Sequence, residues 1–312
     1  THNKQKKNLL LLSIISNLGL LFIFKYFNFF LESFITVSSL IGFQANLTLL
    51  NIILPVGISF YTFRTLSYTI DVYRGKISAT RDWILFASYV TFFPQLVAGP
   101  IERASRILPQ LSKKRTFDWK ESKEGVRKIL LGFLKKVVIA DSLSPMVDFT
   151  FNNYQELSSL ALLLGAFYFT FQIYCDFSGY SDIAIGISKL FGIDLMENFN
   201  YPYFAKNIGE FWKRWHISLT TWFRDYLYFS LGGSLGSLTA AIRNVAIVFI
   251  ISGLWHGAKW TYIFWGVIHI IFYIPYFLRR RRNDNNTFLP RLIFKNKALG
   301  IFSTFSIVML SW

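Results

Sequence analysis

Long runs without a single charged residue limit how this chain can fold more than any other feature of its sequence. Several of them reach the roughly 20 apolar residues that a membrane-spanning helix needs, and others do so if a flanking lysine or arginine extends to the membrane surface. They predict an all-α, polytopic membrane helical bundle with about seven to nine membrane segments. The uncharged runs are residues 8–24, 33–63, 83–101, 157–175, 226–242, 244–258, 260–278 and 298–312.

The positive charges lie where a membrane protein needs them. The formal net charge is +16, and basic clusters flank the apolar runs at residues 4–7, 113–115, 135–136 and 279–282. Such clusters favour the cytoplasmic side and attract anionic lipids. We therefore expect a multi-pass protein of the cell membrane that has membrane lipids as partners. Nucleic acid, the usual partner of a soluble chain this basic, is not expected.

No stretch of linker composition divides the sequence, so residues 1–312 are predicted to form a single membrane domain. The chain starts at Thr1 and ends at Trp312 inside an apolar run, which indicates that membrane segments are missing at one or both ends. Residues 118–136 space their apolar side chains as an amphipathic helix does. Proline and glycine interrupt several apolar runs, and broken helices favour a chamber inside the bundle.

Residues 204–233 differ from the rest because charges and tryptophans alternate too closely for a segment immersed in lipid. On one helix, Trp212, Trp215 and His216 would share a face. Together with Trp222, these tryptophans are typical of the zone where a membrane meets water. The segment is predicted to be an interfacial or re-entrant helix that enters the bundle.

His256 is the strongest candidate for chemistry. It lies in the sequence Gly253-Leu-Trp-His-Gly257, inside an apolar run, and an ionisable side chain at membrane depth usually marks function. A neutral imidazole can act there as a general base toward a weak nucleophile such as a hydroxyl group. The two glycines would let backbone or substrate approach closely. The alternative is a histidine that only ties two helices together, which is the role we expect of His269.

Four further charged residues have predicted roles. Asp176 and Asp182 follow an apolar run directly, so they either line a cavity or face water at the end of a helix. Arg224 and Asp225 are expected to form an ion pair, because an unpaired charge in this region would be costly. The sequence shows no zinc signature, no nucleophile elbow and no phosphate-binding loop. No metal site and no tightly bound cofactor are predicted.

Blocks at residues 54–76, 91–104, 174–187, 198–234 and 253–267 resemble the membrane-bound O-acyltransferase (MBOAT) family. Two of the motifs in them, FWKRWHISLTTWFRDYLY and GLWHGA, are highly specific. The motifs WHISL and LVAGPI are more similar to the bacterial alginate O-acetyltransferase-like branch than to the branch that transfers D-alanine.

The resemblance implies a ring-like helical bundle, thin at its centre, with a tunnel or funnel through it. His256 would occupy the catalytic position of the family. His216 would occupy an upstream polar position, from which it orients the donor carbonyl or assists proton transfer. The chamber around them would be lined by Trp212, Trp215, Trp222, Trp255, Asp176, Tyr180 and Asp182.

The implied function is transfer of an acyl group, acetyl before others, from a cytoplasmic thioester such as acetyl-CoA to hydroxyl groups of an exported polysaccharide. The acceptor would be alginate-like, another exopolysaccharide or peptidoglycan, reached directly or through a periplasmic or extracellular acyl-acceptor protein. D-alanyl transfer to teichoic acid is the alternative within the family. Outside it, broken helices and buried polar residues would also suit a transporter or flippase of a polysaccharide or lipid-linked precursor. That alternative predicts paired internal repeats, which the sequence does not show.

Overall fold

The computed structural model describes residues 2–44, 47–282 and 296–312. Regular structure in these three ranges is helical and includes no β-strand, which confirms the all-α prediction. In a membrane, helices satisfy their backbone hydrogen bonds within one segment, and this explains why the apolar runs of this sequence fold as helices.

The helices vary widely in length, and three of them continue into π-helical turns at Phe22–Tyr26, Leu134–Ala140 and Phe223–Tyr228. Each of these turns carries charged residues within or beside an apolar stretch. The α-helices are α1 (His2–Leu21), α2 (Phe27–Leu40), α3 (Ile58–Tyr73), α4 (Trp83–Thr91), α5 (Ala104–Ser112), α6 (Trp119–Phe133), α7 (Asp141–Asn152), α8 (Ser159–Leu190), α9 (Ile208–Arg214), α10 (Ile217–Trp222), α11 (Leu238–His256), α12 (Trp260–Arg282) and α13 (Lys297–Ser311).

Four helices in the described ranges are long and apolar enough to cross a membrane, namely Lys4–Leu40, Ser159–Leu190, Leu238–His256 and Trp260–Arg279. They confirm a multi-pass membrane protein. The predicted count of seven to nine segments includes shorter apolar runs and stays a prediction. An uncharged run is not always one helix. The run 33–63, for example, contains the end of α2 and the start of α3.

Side-chain caps define where several helices begin. The carboxylate of Asp118 accepts hydrogen bonds from the backbone amides of Lys120 and Glu121 at the start of α6. The hydroxyl of Ser158 accepts one from the amide of Ala161 at the start of α8. Such a cap stabilises a helix by about 1 kcal/mol, because it satisfies an amide that has no partner inside the helix.

The chain divides into two compact units. The first contains residues 1–97, 101–114 and 253–263, which include α1 to α5 and the connection from α11 to α12. The second contains residues 98–100, 115–252 and 264–312, which include α6 to α10, most of α11 and α12, and α13. The single domain at 1–312 and the ring with a central tunnel stay predictions.

Within the second unit, α6 packs against α8 through glycines. A Cβ atom at Gly125 would press on the carbonyl of Gly186, and one at Gly132 on the carbonyl of Gly179. Close approach of helix backbones at small residues is typical of helix pairs in membranes. The pairing is antiparallel, since the earlier glycine of α6 meets the later glycine of α8.

The predicted amphipathic helix at residues 118–136 is present from Trp119 onward, and several of its apolar side chains do not pack against protein. Trp119 and Leu130 are 74% and 64% exposed, whereas the buried positions of α6 are Ser122, Gly125 and Gly132. In lipid, apolar side chains lose nothing by facing outward, so small residues determine which face packs against protein.

Candidate active site

His256 is the last residue of α11 and remains partly exposed. Its imidazole ring lies 5.1 Å from the indole of Trp255, with the two ring planes at 81°. A histidine at the end of a membrane-spanning helix, with part of its surface open, can meet a substrate. A ring sealed among packed side chains could not do so.

The indole of Trp255 anchors this end of α11 within the first unit. Trp255 is buried, and its ring lies 5.5 Å from the ring of Phe60 and 5.8 Å from that of Phe63, both on α3. Aromatic pairs at these separations stabilise a structure beyond the effect of apolar burial alone. The residue before His256 is therefore held in a fixed place.

The two glycines beside His256 accommodate the next helix. A Cβ atom at Gly253 would overlap the backbone carbonyl of Tyr262, and one at Gly257 would overlap the ring of Tyr262. The close approach that was predicted at these glycines is thus made by protein, with the backbone of α12 at Gly253 and a side chain at Gly257. The close packing of Gly253 and Gly257 against Tyr262 sets the direction in which the chain continues after His256.

Two side chains without a predicted role also reach the end of α11. The hydroxyl of Tyr26 donates a hydrogen bond of 2.9 Å to the carbonyl of Leu254. The ammonium group of Lys25 donates to the carbonyl of Trp255 and, at 3.0 Å, to the hydroxyl of Ser59. The sequence does contain a signal for them, since Lys25 is a lone cation between apolar stretches of a spanning helix.

His216 lies in the second unit and is only 1% exposed. Its ring is 4.6 Å from the ring of Phe177 in an edge-to-face arrangement and 6.4 Å from that of Phe199 in a stacked one. Its backbone is left-handed, with φ of 43° and ψ of 55°. Residues other than glycine rarely adopt this backbone conformation. It costs about 1–3 kcal/mol, and such residues cluster at functional sites.

The left-handed residue breaks the single helix that was predicted to carry Trp212, Trp215 and His216 on one face. α9 ends at Arg214 and α10 begins at Ile217. Asn198 stabilises the break from a distant part of the chain: its backbone carbonyl accepts from the amide of Ile217 at 2.9 Å, and its side chain accepts from the amide of Ser218 at 3.2 Å.

The three tryptophans of this region are buried, at 9% exposure or less, and are not surface rings of the kind expected at a membrane–water boundary. Trp212 and Trp215 belong to a buried apolar cluster of the second unit. Trp222 packs 5.0 Å from the ring of Tyr226. Their role in lining a substrate chamber stays a prediction, as does that of Trp255.

His269 is fully buried beside Trp212 and Trp265, with ring centres 4.8 and 4.6 Å away. The hydroxyl of Ser311, on α13, lies 3.3 Å from its Nε2 atom. This hydrogen bond joins α12 to α13, which is the arrangement expected of a histidine that ties two helices together.

The carboxylates of α8 form ion pairs with lysines. Asp182 is 2.6 Å from Lys135 and 3.5 Å from Lys128, and Asp176 is 2.7 Å from Lys136. Hydrogen bonds to Asp141 and Asp176 raise the pKa of Lys136. The expected alternative of a helix end facing water is wrong, because both carboxylates lie inside α8.

The remaining predicted positions are Arg224, Asp225 and Tyr180. The guanidinium of Arg224 lies 2.8 Å from the carboxylate of Asp225, so the predicted ion pair is present, and it lies in a π-helical turn at the surface. Tyr180, in α8, is partly exposed. A cavity-lining role for Tyr180, Asp176 and Asp182 stays a prediction.

A buried polar network in the first unit was missed. The guanidinium of Arg64 is 1% exposed and donates to the carbonyl of Tyr89 at 3.3 Å and to the side chain of Gln95 at 3.4 Å. Burial lowers the pKa of Arg64 to about 10, which still leaves it charged at neutral pH. Glu102 is fully buried and lies 3.7 Å from Arg106. Charges that end apolar runs were expected to reach the membrane surface, but these turn inward.

The predicted site residues therefore fall into two groups. His256 and Trp255 belong to the first unit, and His216, Trp212 and Trp215 belong to the second. Within the first group, an indole, an ammonium group and a phenol lie at the helix end that carries His256. In the described residues, no three histidine, cysteine, aspartate or glutamate side chains come together as metal ligands would.

Comparison with known proteins places these residues in a family context. The family model described as "MBOAT, membrane-bound O-acyltransferase family" matches residues 77–311. His256, His216 and the ion pair of Arg224 with Asp225 all lie inside the matched range. Lys25 and Arg64 lie before it.

Three relatives illustrate the range of similarity. A protein of Azotobacter vinelandii named "Probable alginate O-acetylase AlgI" is 46% identical over 260 residues, 83% of this chain and 52% of the relative. The "Peptidoglycan O-acetyltransferase" of Helicobacter pylori is 38% identical over 293 residues, 86% of this chain and 55% of the relative. The "Teichoic acid D-alanyltransferase" of Bacillus subtilis is 30% identical over 252 residues, which are 77% of this chain and 63% of the relative. The chain spans about half the length of the first two relatives.

Proposed function

Because this chain belongs to the membrane-bound O-acyltransferase family, we propose that the protein transfers an acyl group to hydroxyl groups of an exported polysaccharide. The observation that carries the proposal is the position of His256. It is a partly exposed residue at the end of a helix long enough to cross a membrane, and it lies in the specific motif GLWHGA.

The acyl group is acetyl in this proposal. The relatives named for acetyl transfer are 46% and 38% identical to this chain, and the relative named for D-alanyl transfer is 30% identical. The three names share one chemical theme, which is an acyl group placed on a polymer. D-alanyl transfer to teichoic acid remains the second candidate within the family.

Each chemical step would use the imidazole of His256. The ring accepts the proton of the acceptor hydroxyl as its oxygen attacks the carbonyl carbon of the acyl thioester. The tetrahedral intermediate collapses by breaking the carbon–sulfur bond, and the imidazolium returns the proton to the leaving thiolate. One ester forms, one thioester is lost, and the histidine ends in its starting state. General-base assistance of this kind contributes about 10²–10⁴-fold to a rate.

The donor in this proposal is a cytoplasmic thioester such as acetyl-CoA, and no tightly bound cofactor takes part. The acceptor is alginate, another exopolysaccharide or peptidoglycan, reached directly or through an acyl-acceptor protein outside the cytoplasm. His216 is the second candidate residue. Since its ring is enclosed by Phe177 and Phe199, we assign it to orienting the donor carbonyl or to shaping the site rather than to primary proton transfer.

Acetyl transfer in membranes tests the proposal. Membranes containing the full-length protein are supplied with acetyl-CoA that is labelled in the acetyl group, and the label is followed into alginate, into peptidoglycan and into a secreted acceptor protein. We expect label in one of these acceptors with the wild type and a loss of at least about 100-fold with His256→Ala. The matched control is Lys259→Ala, an exposed residue three positions further along the chain.

The outcomes separate the candidates. Incorporation of label by His256→Ala at the wild-type rate would contradict the mechanism. Transfer from a D-alanyl thioester but not from acetyl-CoA would favour the second candidate. Movement of an intact polysaccharide or lipid-linked precursor across vesicle membranes, without acyl transfer, would instead identify a transporter.

A further inference from the structure

Lys25 occupies an unusual place for a lysine. It lies in the middle of Lys4–Leu40, a continuous helix that is long and apolar enough to cross a membrane, and its side chain is partly buried. The other lysines of this helix, at positions 4, 6 and 7, are exposed at its beginning. A charge inside a spanning helix is costly, and such residues are usually retained because they serve a function.

Two contacts of Lys25 lead to Trp255. Its ammonium group donates hydrogen bonds to the backbone carbonyl of Trp255 and to the hydroxyl of Ser59. It also lies over the indole ring of Trp255, 5.6 Å from the ring centre, where the negative face of the ring attracts a cation. The group is therefore directed at the residue that precedes His256.

The end of α11 needs this kind of partner. The last four carbonyls of a helix have no amide to accept from within the helix, and the carbonyl end of the helix dipole attracts positive charge. The hydroxyl of Tyr26 donates a hydrogen bond to the carbonyl of Leu254, and the ammonium group of Lys25 donates one to the carbonyl of Trp255. In a membrane, where water is scarce, a carbonyl without a partner is strongly unfavourable.

The local helix geometry brings both side chains to the same spot. Lys25 and Tyr26 are neighbours in sequence, so on a regular helix they would point about 100° apart. They lie in the π-helical turn Phe22–Tyr26, whose wider winding differs from the rest of the helix. Such turns occur often at functional sites.

We propose that Lys25 is a positioning residue for His256, acting through the peptide that joins Trp255 to His256. By holding the carbonyl of Trp255 and covering its indole, Lys25 fixes the plane of this peptide and with it the direction in which the imidazole leaves the backbone. The inference rests on the proposed function of His256. It gives the N-terminal spanning helix, which lies outside the matched family range, a defined part in the reaction.

Substitution of Lys25 in the full-length protein tests this role. Lys25→Met removes the charge and keeps the length, so we expect kcat for acetyl transfer to fall about 100-fold, as misplacement of a reacting group does, with KM for acetyl-CoA within about three-fold of wild type. Lys25→Arg keeps a cationic donor and should restore most of kcat. Lys7→Met, on the same helix but exposed at its beginning, should behave as wild type.

A second measurement is independent of activity. Hydrogen–deuterium exchange of peptides covering residues 250–257 should speed up several-fold in Lys25→Met and not in Lys7→Met, because the last turn of α11 loses a cap. A wild-type kcat in Lys25→Met, or unchanged exchange at residues 250–257, would overturn the inference. If Lys25→Met fails to accumulate in membranes, Lys25→Gln takes its place, with at least a ten-fold loss of kcat expected and a wild-type kcat again contradicting the role.

The two hypotheses fail in different ways. If the wild type itself transfers no acyl group to any acceptor, the proposed function is wrong, and the exchange measurement alone decides whether Lys25 holds the end of α11. If the wild type is active and His256→Ala is inactive, while Lys25→Met keeps full kcat, only the role of Lys25 is wrong.

Discussion

The two histidines of the specific motifs have opposite environments. His256 ends a long helix and is partly exposed, whereas His216 precedes a short helix in a left-handed backbone and is 1% exposed. Polar partners hold the helix end next to His256, and aromatic rings enclose His216. Both lie in family motifs, but only the first is partly exposed.

The two environments show what distinguishes a reacting imidazole from a structural one. A catalytic imidazole needs an open side and a rigid base. A histidine enclosed by rings is held by packing, and the strain of its backbone is carried by the contacts around it. The two positions should therefore respond differently to the same substitution.

The largest expected effect separates activity from stability. His256→Ala should reduce acetyl transfer by at least about 100-fold and leave the midpoint of thermal unfolding within a few degrees of wild type. His216→Ala should lower both, because loss of a buried ring costs about 2–4 kcal/mol, as in other large-to-small core substitutions. Tryptophan fluorescence of the purified protein during heating, beside the transfer assay, measures both quantities. A His216→Ala protein that is inactive but fully stable would place His216 in the chemistry.

An intermediate effect tests how rigid the base of His256 is. Gly253→Ala and Gly257→Ala both collide with Tyr262, the first with its backbone and the second with its ring. We expect each to reduce transfer about ten-fold or more, because the end of α11 must shift. Adding Tyr262→Ala should restore activity to Gly257→Ala, since it removes the ring, and should not help Gly253→Ala.

Transfer rates of the single and double variants check this prediction, with Tyr262→Ala alone as the control. Rescue of both glycine variants, or of neither, would contradict the packing at the end of α11. Equal loss at both positions with rescue at Gly257 alone would confirm that backbone and side chain of one residue play separate parts.

Much of the fold and the first histidine could be predicted from sequence because the signals are local. Uncharged runs predict helices in a membrane, and a histidine inside one of them stands out. The break before α10 could not be predicted, because no glycine or proline marks it. It depends on Asn198, which lies 18 residues before His216 in the sequence and accepts hydrogen bonds from the amides of Ile217 and Ser218.

The face of α6 that packs against α8 could not be predicted, for a related reason. Hydrophobic periodicity identifies the face that avoids water, but in lipid that face can point outward, as Leu130 does. The face that packs on protein is formed by Gly125 and Gly132, and small residues give a weak signal in a single sequence. Roles for Lys25 and Arg64 were likewise not predicted, since a charge beside an apolar run suggests a surface position.

The smallest expected effect concerns the second unit and should spare the chemistry. Asp182→Asn leaves the lysines at 135 and 128, which are 21% and 23% exposed, without their buried partner. We expect the free energy of unfolding to fall by about 2 kcal/mol, less than the 3–5 kcal/mol lost when a fully buried pair is broken. Asp176→Asn affects a carboxylate that is 51% exposed and should cost less than about 1 kcal/mol.

Thermal unfolding of the two variants measures this contrast, and the transfer assay measures whether either carboxylate takes part in chemistry. Wild-type rates, corrected for the folded fraction, would leave both as structural pairs of α6 and α8. A loss of activity in Asp176→Asn at full stability would support the predicted lining role of this residue.

Chemical rescue tests whether the imidazole at position 256 performs the proton transfer. Membranes with full-length His256→Ala are assayed for acetyl transfer with and without added imidazole, beside His216→Ala. We predict almost no transfer without imidazole and a partial, concentration-dependent return with it, for His256→Ala only. Transfer by His256→Ala at the wild-type rate without imidazole would contradict the account.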